Sequence, residues 1–514
     1  MLHADLVGER ARLTPDKLAL VDLRTGGRWS YEALNQRAAR CAEVLRHVLG
    51  LRRGDRVALL SGNRLEFLDL FFGAVKSGIV IVPLGTRLTA RELAFILRDC
   101  QPRAVFYDMP HAPVVTELAA LVQTELWIAL DPGTGSGSAQ YADLADGVRE
   151  PAAGLPPCRP EDTCCLLYTS GTTGYPKGVI IPHRMVAWNG YNTAVSWQLR
   201  DDDVTPVFTP LYHAGGLGAF LLPVLAIGGT VVLHEGFDPA EVWDTIEREG
   251  CTVVLGVPTI FRILMEAPQF RTVNLERVRY LISGGAPLPL HIIEAYQARG
   301  VVFKQGYGLT EVGVNCFAMT VADSVRKAGS VGKPMMFTEA RLVDGDGAEV
   351  GVGEVGELLL RGPHVCNGYW NNPDATAAAL DGDRWFHTGD LAKRDDEGFF
   401  TIAGRKKDML ISGGVNVYPA EIEAALLLHP AVADAAVVGV PHDVWGEAGI
   451  AFVVSRTSPA PSDGELTSFL EGRLARYKIP KAFVAVESLP RTAYGKVIKG
   501  ELRDQYLTAH RRLR

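Results

Sequence analysis

The chain has 514 residues, 47% hydrophobic and 22% charged, with a formal net charge of −7. That length exceeds one ordinary core and predicts roughly two to four domains, while the acidic balance gives no reason to expect nucleic acid as a partner. Eight cysteines without a CxxC pair indicate neither a zinc site nor a disulfide framework, and the N-terminus "MLHADLVGERARLTPDK" carries charge where a signal peptide needs an apolar core.

Strand-like and helix-like stretches alternate along the larger part of the chain. Residues 55–61 read as a strand, 64–78 as a helix stopped by glycine, and 79–84 as a strand. Thr89 and Glu92 have capping-box spacing and predict a helix over 89–100. Residues 103–108 form the next strand, and "GTGSGSAQ" (133–140) a surface loop. The run "AGGLGAFLLPVLAIGGTVVL" (214–233) is uncharged over twenty residues, a membrane-spanning length. Its five glycines and Pro223 predict instead a buried helix cut at Gly228-Gly229, then a buried strand. "TVVLHE", "DPAEVWDTIEREG", "TVVLGVP" and "VRYLISGG" continue the alternation. The expected class is α/β, with parallel-type sheets flanked by helices. After Gly404 the texture changes to the basic "GRKKDMLISGGVNVYP", a helix "AEIEAALLLHP", strands "VADAAVVGVP" and "AGIAFVVS", and a helix "DGELTSFLEGRLARY". The predicted division is a large N-terminal domain, 1–404, and a small α+β C-terminal domain, 405–514.

Ligands of open parallel sheets bind at strand carboxyl ends, and three glycine-bearing loops fall at such ends. "TSGTTGYPKG" follows "CCLLY", "SGGAPL" (283–288) follows "VRYLI", and "QGYGLTE" (305–311) follows "VVFK". Glycines let backbone N–H groups converge on an anion, and hydroxyls and a lysine add donors, so the first loop suits a polyphosphate. It is not the G-x-x-x-x-G-K-[ST] loop, because its lysine follows proline in Pro176-Lys177-Gly178. Composition alone leaves open a Thr/Gly-rich turn with a solvated lysine, and leaves Glu311 readable as a helix-start glutamate.

Order along the chain adds a further signal. The segments "YTSGTTGYPKGV", "TPLYHAGG", "SGGAPL", "QGYGLTE", "GELLLRG", "GYWNNPDAT", "WFHTGDLAKRDDEGFFTIAGRKKDMLISGGVNVYPAEIE" and "PRTAYGKVIK" resemble, in order and separation, the motifs of the adenylate-forming (ANL) superfamily, acyl- and aryl-CoA ligase branch. The resemblance spans roughly residues 10–505. It implies two half-reactions: a carboxylate attacks the α-phosphorus of ATP, then a thiol, usually of coenzyme A, displaces AMP.

By that resemblance, Thr169, Ser170, Gly171, Thr172, Thr173, Gly174 and Lys177 form the phosphate loop. Glu311 is the Mg²⁺ carboxylate, aided by the Thr169 hydroxyl. Tyr307 stacks on adenine against Gly284, Gly285, Ala286 and Pro287, with Gln305, Gly306 and Gly308 beside it. Asp390 accepts from the ribose hydroxyls next to Arg405, and Thr310 contacts the α-phosphate. His213 stands at the mouth of the acid pocket, which Ala214, Gly215, Gly284, Gly306 and Gly308 line. The glycines after His213 either leave room for a bulky acid or allow tight helix packing. Lys496 bridges the acid and the α-phosphate, where a charge stabilises the transition state; Tyr494 departs from the small or hydroxyl residue usual nearby. Lys407 matches a hinge near 406–407, and rotation there brings Gly413 and Gly414 to the pantetheine arm of CoA.

The resemblance therefore implies a cytoplasmic ATP-, Mg²⁺- and CoA-using ligase of a fatty or aromatic acid (benzoate, anthranilate or cinnamate type), without a transmembrane segment. "DMLISGGVNVYPAEIE" and "ADSVRKAGSVGKP" tilt the expectation to aliphatic acids. A homodimer is compatible with it. The alternatives are a free-standing adenylation enzyme loading a carrier protein, a luciferase-like oxygenase, and a catalytically dead nucleotide-binding regulator. The presence of Lys177, Glu311 and Lys496 speaks against the last.

Overall fold

The computed structural model describes residues 4–131, 139–148, 158–169, 176–285, 288–412, 415–442, 445–491 and 497–511. The chain forms two units interleaved in sequence. The first gathers Met1–Leu288, Ile292–Ala340 and Leu360–His387; the second gathers Pro289–His291, Arg341–Leu359 and Thr388–Arg514.

In the first unit a seven-stranded sheet runs in the order Ala139–Gln140, Leu126–Ala129, Ala104–Tyr107, Arg56–Leu60, Val80–Pro83, Thr163–Thr169, Lys177–Pro182. Every pairing is parallel except the last. Val57, Ala58, Leu59 and Leu60 are all fully buried. Successive strand side chains face opposite sides, so both faces of this strand are covered, as its unbroken apolar run anticipates. The helix Leu65–Ser77 stops at Gly78, whose φ of 73° is the left-handed geometry glycine adopts without steric cost. The helix Ala90–Cys100 opens on a reciprocal capping box between Thr89 and Glu92.

Smaller sheets extend the unit's framework. Val204–Val207, Thr230–Leu233 and Leu18–Asp22 are parallel neighbours, with Gly27–Ser30 antiparallel at the edge. Val253–Gly256, Tyr280–Ser283 and Phe303–Gln305 are all parallel. The uncharged run forms the helical segments Ala214–Gly216, Leu217–Leu221 and Leu222–Ile227, ends on left-handed Gly228, and continues into Thr230–Leu233. Among the described residues no helix is long and apolar enough to cross a membrane. All eight cysteines are buried free thiols.

The second unit contains most of a four-stranded sheet, in the order Glu339–Val343, Val355–Arg361, Phe386–Arg394, Phe400–Arg405. Its other sheet runs Val415–Val417, Leu410–Ser412, Gly446–Ser455, Val432–His442, with Ala482–Ala485 also paired to Gly446–Ser455. The helix expected over "DGELTSFLEGRLARY" is shorter than the sequence reading: it covers Asp463–Leu470. Glu471 already leaves helical geometry (φ −60°, ψ 132°), and with Gly472 at φ 82° it makes a turn in which the Arg473 N–H donates to the Leu470 carbonyl at 3.0 Å. A 3₁₀ turn, Arg476–Lys478, follows.

Candidate active site

The first glycine-bearing loop joins the antiparallel strands Thr163–Thr169 and Lys177–Pro182 at the sheet edge. Thr169 pairs with Lys177, so the ends of the loop are held side by side. Ser170, Gly171, Thr172, Thr173 and Gly174 lie outside the described residues. The Lys177 ammonium sits 5.2 Å from the centroid of the Tyr369 ring, within cation–π range. The Tyr369 hydroxyl donates to Glu311 Oε1 at 3.1 Å. One tyrosine thus touches both the loop lysine and the expected metal carboxylate.

Backbone pairing puts Tyr369 there. The Ile180 N–H donates to the Gly368 carbonyl (2.9 Å), the Trp370 N–H to Gly178 (2.7 Å), and the Asn367 N–H to Ile180 (3.0 Å). Gly178 makes room for the ring of its cross-strand partner: a Cβ there would fall 2.9 Å from Tyr168. The same segment grips the turn that carries Glu311. The Cys366 N–H donates to the Glu311 carbonyl at 2.8 Å, and His364 Nδ1 lies 2.5 Å from the Val312 carbonyl oxygen. That oxygen only accepts, so Nδ1 carries the proton and Nε2 accepts from the Thr338 hydroxyl 2.8 Å away. Burial, with the Arg184 charge adding to it, pushes the His364 pKa down to about 4. The imidazole is therefore neutral at physiological pH. Arg184 Nη1 donates to the Pro363 and Val365 carbonyls and Nη2 to Asn367 Oδ1, clamping the segment from the opposite side.

The second and third loops meet at their glycines. The Gly306 N–H donates to the Ser283 carbonyl at 2.8 Å, and the atom nearest a Cβ on Gly284 would be the Gly306 oxygen, 3.8 Å away. Gly285 has φ 82°; Ala286 and Pro287 lie outside the described residues. Gln305 Oε1 accepts from the Leu288 N–H at 3.5 Å. The preceding residue, Lys304, is buried against the rings of Tyr280 (4.0 Å) and Trp197 (5.3 Å), and burial lowers its pKa to about 8. Tyr307 packs edge-on against Phe317 with centroids 5.6 Å apart. At Gly308 the chain crosses itself: a Cβ would stand 2.4 Å from the Gly313 oxygen and from Val314 backbone atoms. Thr310 and Glu311 then occupy the 3₁₀ turn Thr310–Val312. Glu311 therefore does not begin an α-helix.

His213 caps the short helix Ala214–Gly216, its Nδ1 accepting from the Gly215 N–H at 3.1 Å. Asn63 pins the approach, donating to the Thr209 carbonyl (3.0 Å) and accepting from the Leu211 N–H (2.9 Å). Gly216 answers the alternative between space and packing: a Cβ would lie 2.1 Å from the Pro210 oxygen, so this glycine serves close packing. A Cβ on Gly218 would meet Val314 at 3.2 Å, and Asn189 donates to the Gly218 carbonyl at 2.7 Å. The His213 segment thus packs on the loop that carries Glu311.

In the second unit Asp390 is buried, and Arg405 Nε lies 2.7 Å from its Oδ1. Thr388 braces the pair: its hydroxyl accepts from the Asp390 N–H, and its carbonyl accepts from Arg405 Nη1. Lys407 lies exposed in the 3₁₀ turn Lys406–Asp408, beside Lys406, which donates to Glu357 at 2.8 Å. Gly413, Gly414, Tyr494 and Lys496 fall outside the described residues. The flanks of the Lys496 segment are fixed: Arg491 bridges to Val497 and ion-pairs with Asp434, and Lys499 pairs with Glu423 at 2.6 Å.

Comparison with known proteins completes the assignment. The description "AMP-binding enzyme" matches residues 7–370, and "AMP-binding enzyme C-terminal domain" matches residues 421–496. The chain belongs to the AMP-binding enzyme family. It is 40% identical to a feruloyl-CoA synthase of an Amycolatopsis species over 97% of both chains. It is 38% identical to a long-chain-fatty-acid–CoA ligase of Mycobacterium tuberculosis over 98% of both. The crystal structure of ATP-bound MatB from Rhodopseudomonas palustris matches with a TM-score of 0.88 and 34% identity, over 98% of this chain and 99% of that one.

Within the AMP-binding enzyme frame, sequence reasoning missed Tyr369, His364, Arg184 and Asn63. Tyr369 lay inside "GYWNNPDAT", which marked the family without suggesting a role. His364 and Arg184 act on backbone carbonyls distant in sequence, for which no local pattern exists.

Proposed function

We propose that this AMP-binding enzyme is an acid:CoA ligase that works through an acyl adenylate. In the first half-reaction a carboxylate oxygen attacks the α-phosphorus of ATP and pyrophosphate leaves. In the second, the CoA thiolate attacks the acyl carbonyl, the thioester bond forms, and AMP departs. Such chemistry depends on positioning and charge stabilisation more than on a protein nucleophile. The observation that carries the reading is the convergence of Lys177 and Glu311 on Tyr369, in a chain matched end to end by two CoA ligases.

In this reading Lys177 and the Thr/Gly-rich loop hold the departing phosphates. Tyr307, Gly284, Gly285, Ala286, Pro287, Gln305, Gly306 and Gly308 form the adenine side, and Thr310 contacts the α-phosphate. Asp390, braced by Arg405, takes the ribose hydroxyls. The donor set suits Mg²⁺: one carboxylate, Glu311, oriented by a phenol and completed by nucleotide oxygens and the Thr169 hydroxyl, is what that ion accepts. When bound, Mg²⁺ neutralises phosphate charge. Lys496 serves the first half-reaction, and Gly413 and Gly414 the second, exchanged by motion about Lys407 at a boundary near 404–407.

The acid is a fatty or aromatic one entering beside His213, with Ala214 and Gly215. Curated relatives named for a ferulate-type and a long-chain fatty acid support that range equally. CoA is preferred to a carrier protein as acceptor, and a cytoplasmic location fits these substrates. A panel of aliphatic and aromatic acids incubated with ATP, Mg²⁺ and CoA, scored by AMP release and thioester formation, tests the proposal. Failure of every acid to yield a thioester while a carrier protein is acylated would favour the free-standing adenylation reading.

A further inference from the structure

Tyr369 makes two contacts through two different parts of one side chain. Its ring face lies under the Lys177 ammonium at 5.2 Å, and its hydroxyl donates to Glu311 Oε1 at 3.1 Å. The backbone around it is paired on both sides, by Gly368 with Ile180 and by Trp370 with Gly178, so the ring has little freedom to leave. The Glu311 backbone is held by the same segment, through the Cys366 N–H.

We propose that Tyr369 is a positioning residue for adenylate formation, its hydroxyl orienting the Glu311 carboxylate toward the divalent cation and its ring seating Lys177 until nucleotide phosphates draw the lysine away. This rests on the reading of Glu311 as the metal carboxylate. A carboxylate that ligates a metal gains affinity from a donor that fixes its rotation, and loss of such a partner weakens metal binding roughly 10- to 100-fold. The ring–ammonium contact is weak at a partly exposed site, so a polyphosphate competes with it.

The test separates the two contacts. The full-length chain and its Tyr369→Phe, Tyr369→Leu and Glu311→Gln variants, each checked by thermal melting, are titrated with Mn²⁺ in the presence of α,β-methylene-ATP. Free Mn²⁺ is read by electron paramagnetic resonance, and analogue affinity is measured separately in EDTA, without divalent metal, because metal and nucleotide binding are linked. Tyr369→Phe keeps the ring and is expected to weaken Mn²⁺ about tenfold while leaving analogue affinity unchanged. Tyr369→Leu is expected to add roughly a threefold loss of analogue affinity, the order of one exposed cation–π contact. If Glu311→Gln weakens Mn²⁺ and Tyr369→Phe does not, the role of Tyr369 is overturned while the metal reading stands. If Glu311→Gln leaves Mn²⁺ binding unchanged, the metal reading fails and the proposal falls with it.

Discussion

Arg405 Nε lies 2.7 Å from Asp390 Oδ1, and the two residues are also register partners across the hairpin of Phe386–Arg394 and Phe400–Arg405. The pair is lopsided: the Asp390 side chain is 6% exposed and that of Arg405 37%. Removing the arginine leaves a buried carboxylate short of a donor. Arg405→Met is expected to lower stability by about 1–3 kcal/mol, read as a fall in melting temperature. Asp390→Asn keeps shape and is expected to raise the KM for ATP in pyrophosphate exchange more than it lowers the melting temperature. The opposite ranking would remove Asp390 from the ribose site.

Lys496→Ala is expected to slow adenylate formation by about 3 kcal/mol or more, the scale of one lost transition-state donor. Thioester formation from a preformed acyl adenylate and CoA should be largely spared. Gly414→Leu should show the reverse bias. Pyrophosphate exchange measures the first half-reaction and CoA-dependent release of AMP from synthetic adenylate the second. Equal losses in both would contradict an exchange of tools between the half-reactions.

The glycines of the second and third glycine-bearing loops divide into two kinds. A Cβ on Gly308 would lie 2.4 Å from backbone that cannot retreat, whereas one on Gly284 meets nothing closer than 3.8 Å. Gly308→Ala is expected to destabilise the fold by a few kcal/mol, the scale of overpacking, and to displace Tyr307 and Glu311. Gly284→Ala should melt like the parent. Any loss of nucleotide or acid affinity in that variant would report on the ligand space alone.

His364 gives a pH signature. Its folded pKa of about 4 lies below the ordinary 6.5, so the unfolded chain binds more protons between those values. Stability from this residue is complete above pH 6.5 and is lost as pH falls toward 4. Replacing His364 by Asn removes that titration. The drop in melting temperature between pH 7 and pH 5 should therefore be smaller in the variant than in the parent, whatever the variant loses at pH 7.

Much of the fold was legible because local chemistry and tertiary demand agree. The Thr89–Glu92 box, the Gly78 stop and the apolar run 57–60 each contain their own cause. The helix after Ser462 was drawn too long because its apolar spacing continues to Leu474, past the Glu471-Gly472 turn that ends it. At the site, the phosphate loop, Glu311 and the Asp390–Arg405 pair were named from motifs. Their supports were not. His364 reaches Val312 across 52 positions, and Tyr369 reaches Glu311 across 58. Contacts of that span leave no spacing to read.

The pairing of residues 367–370 with Lys177–Pro182 also covers the outer rim of the seven-stranded sheet. Among the described residues the strand at the opposite rim is Ala139–Gln140. An uncovered strand rim is a template for intermolecular addition. Variants that loosen this segment would therefore bare a self-association surface beside the first glycine-bearing loop, and their aggregation during expression would precede any measurable defect in turnover.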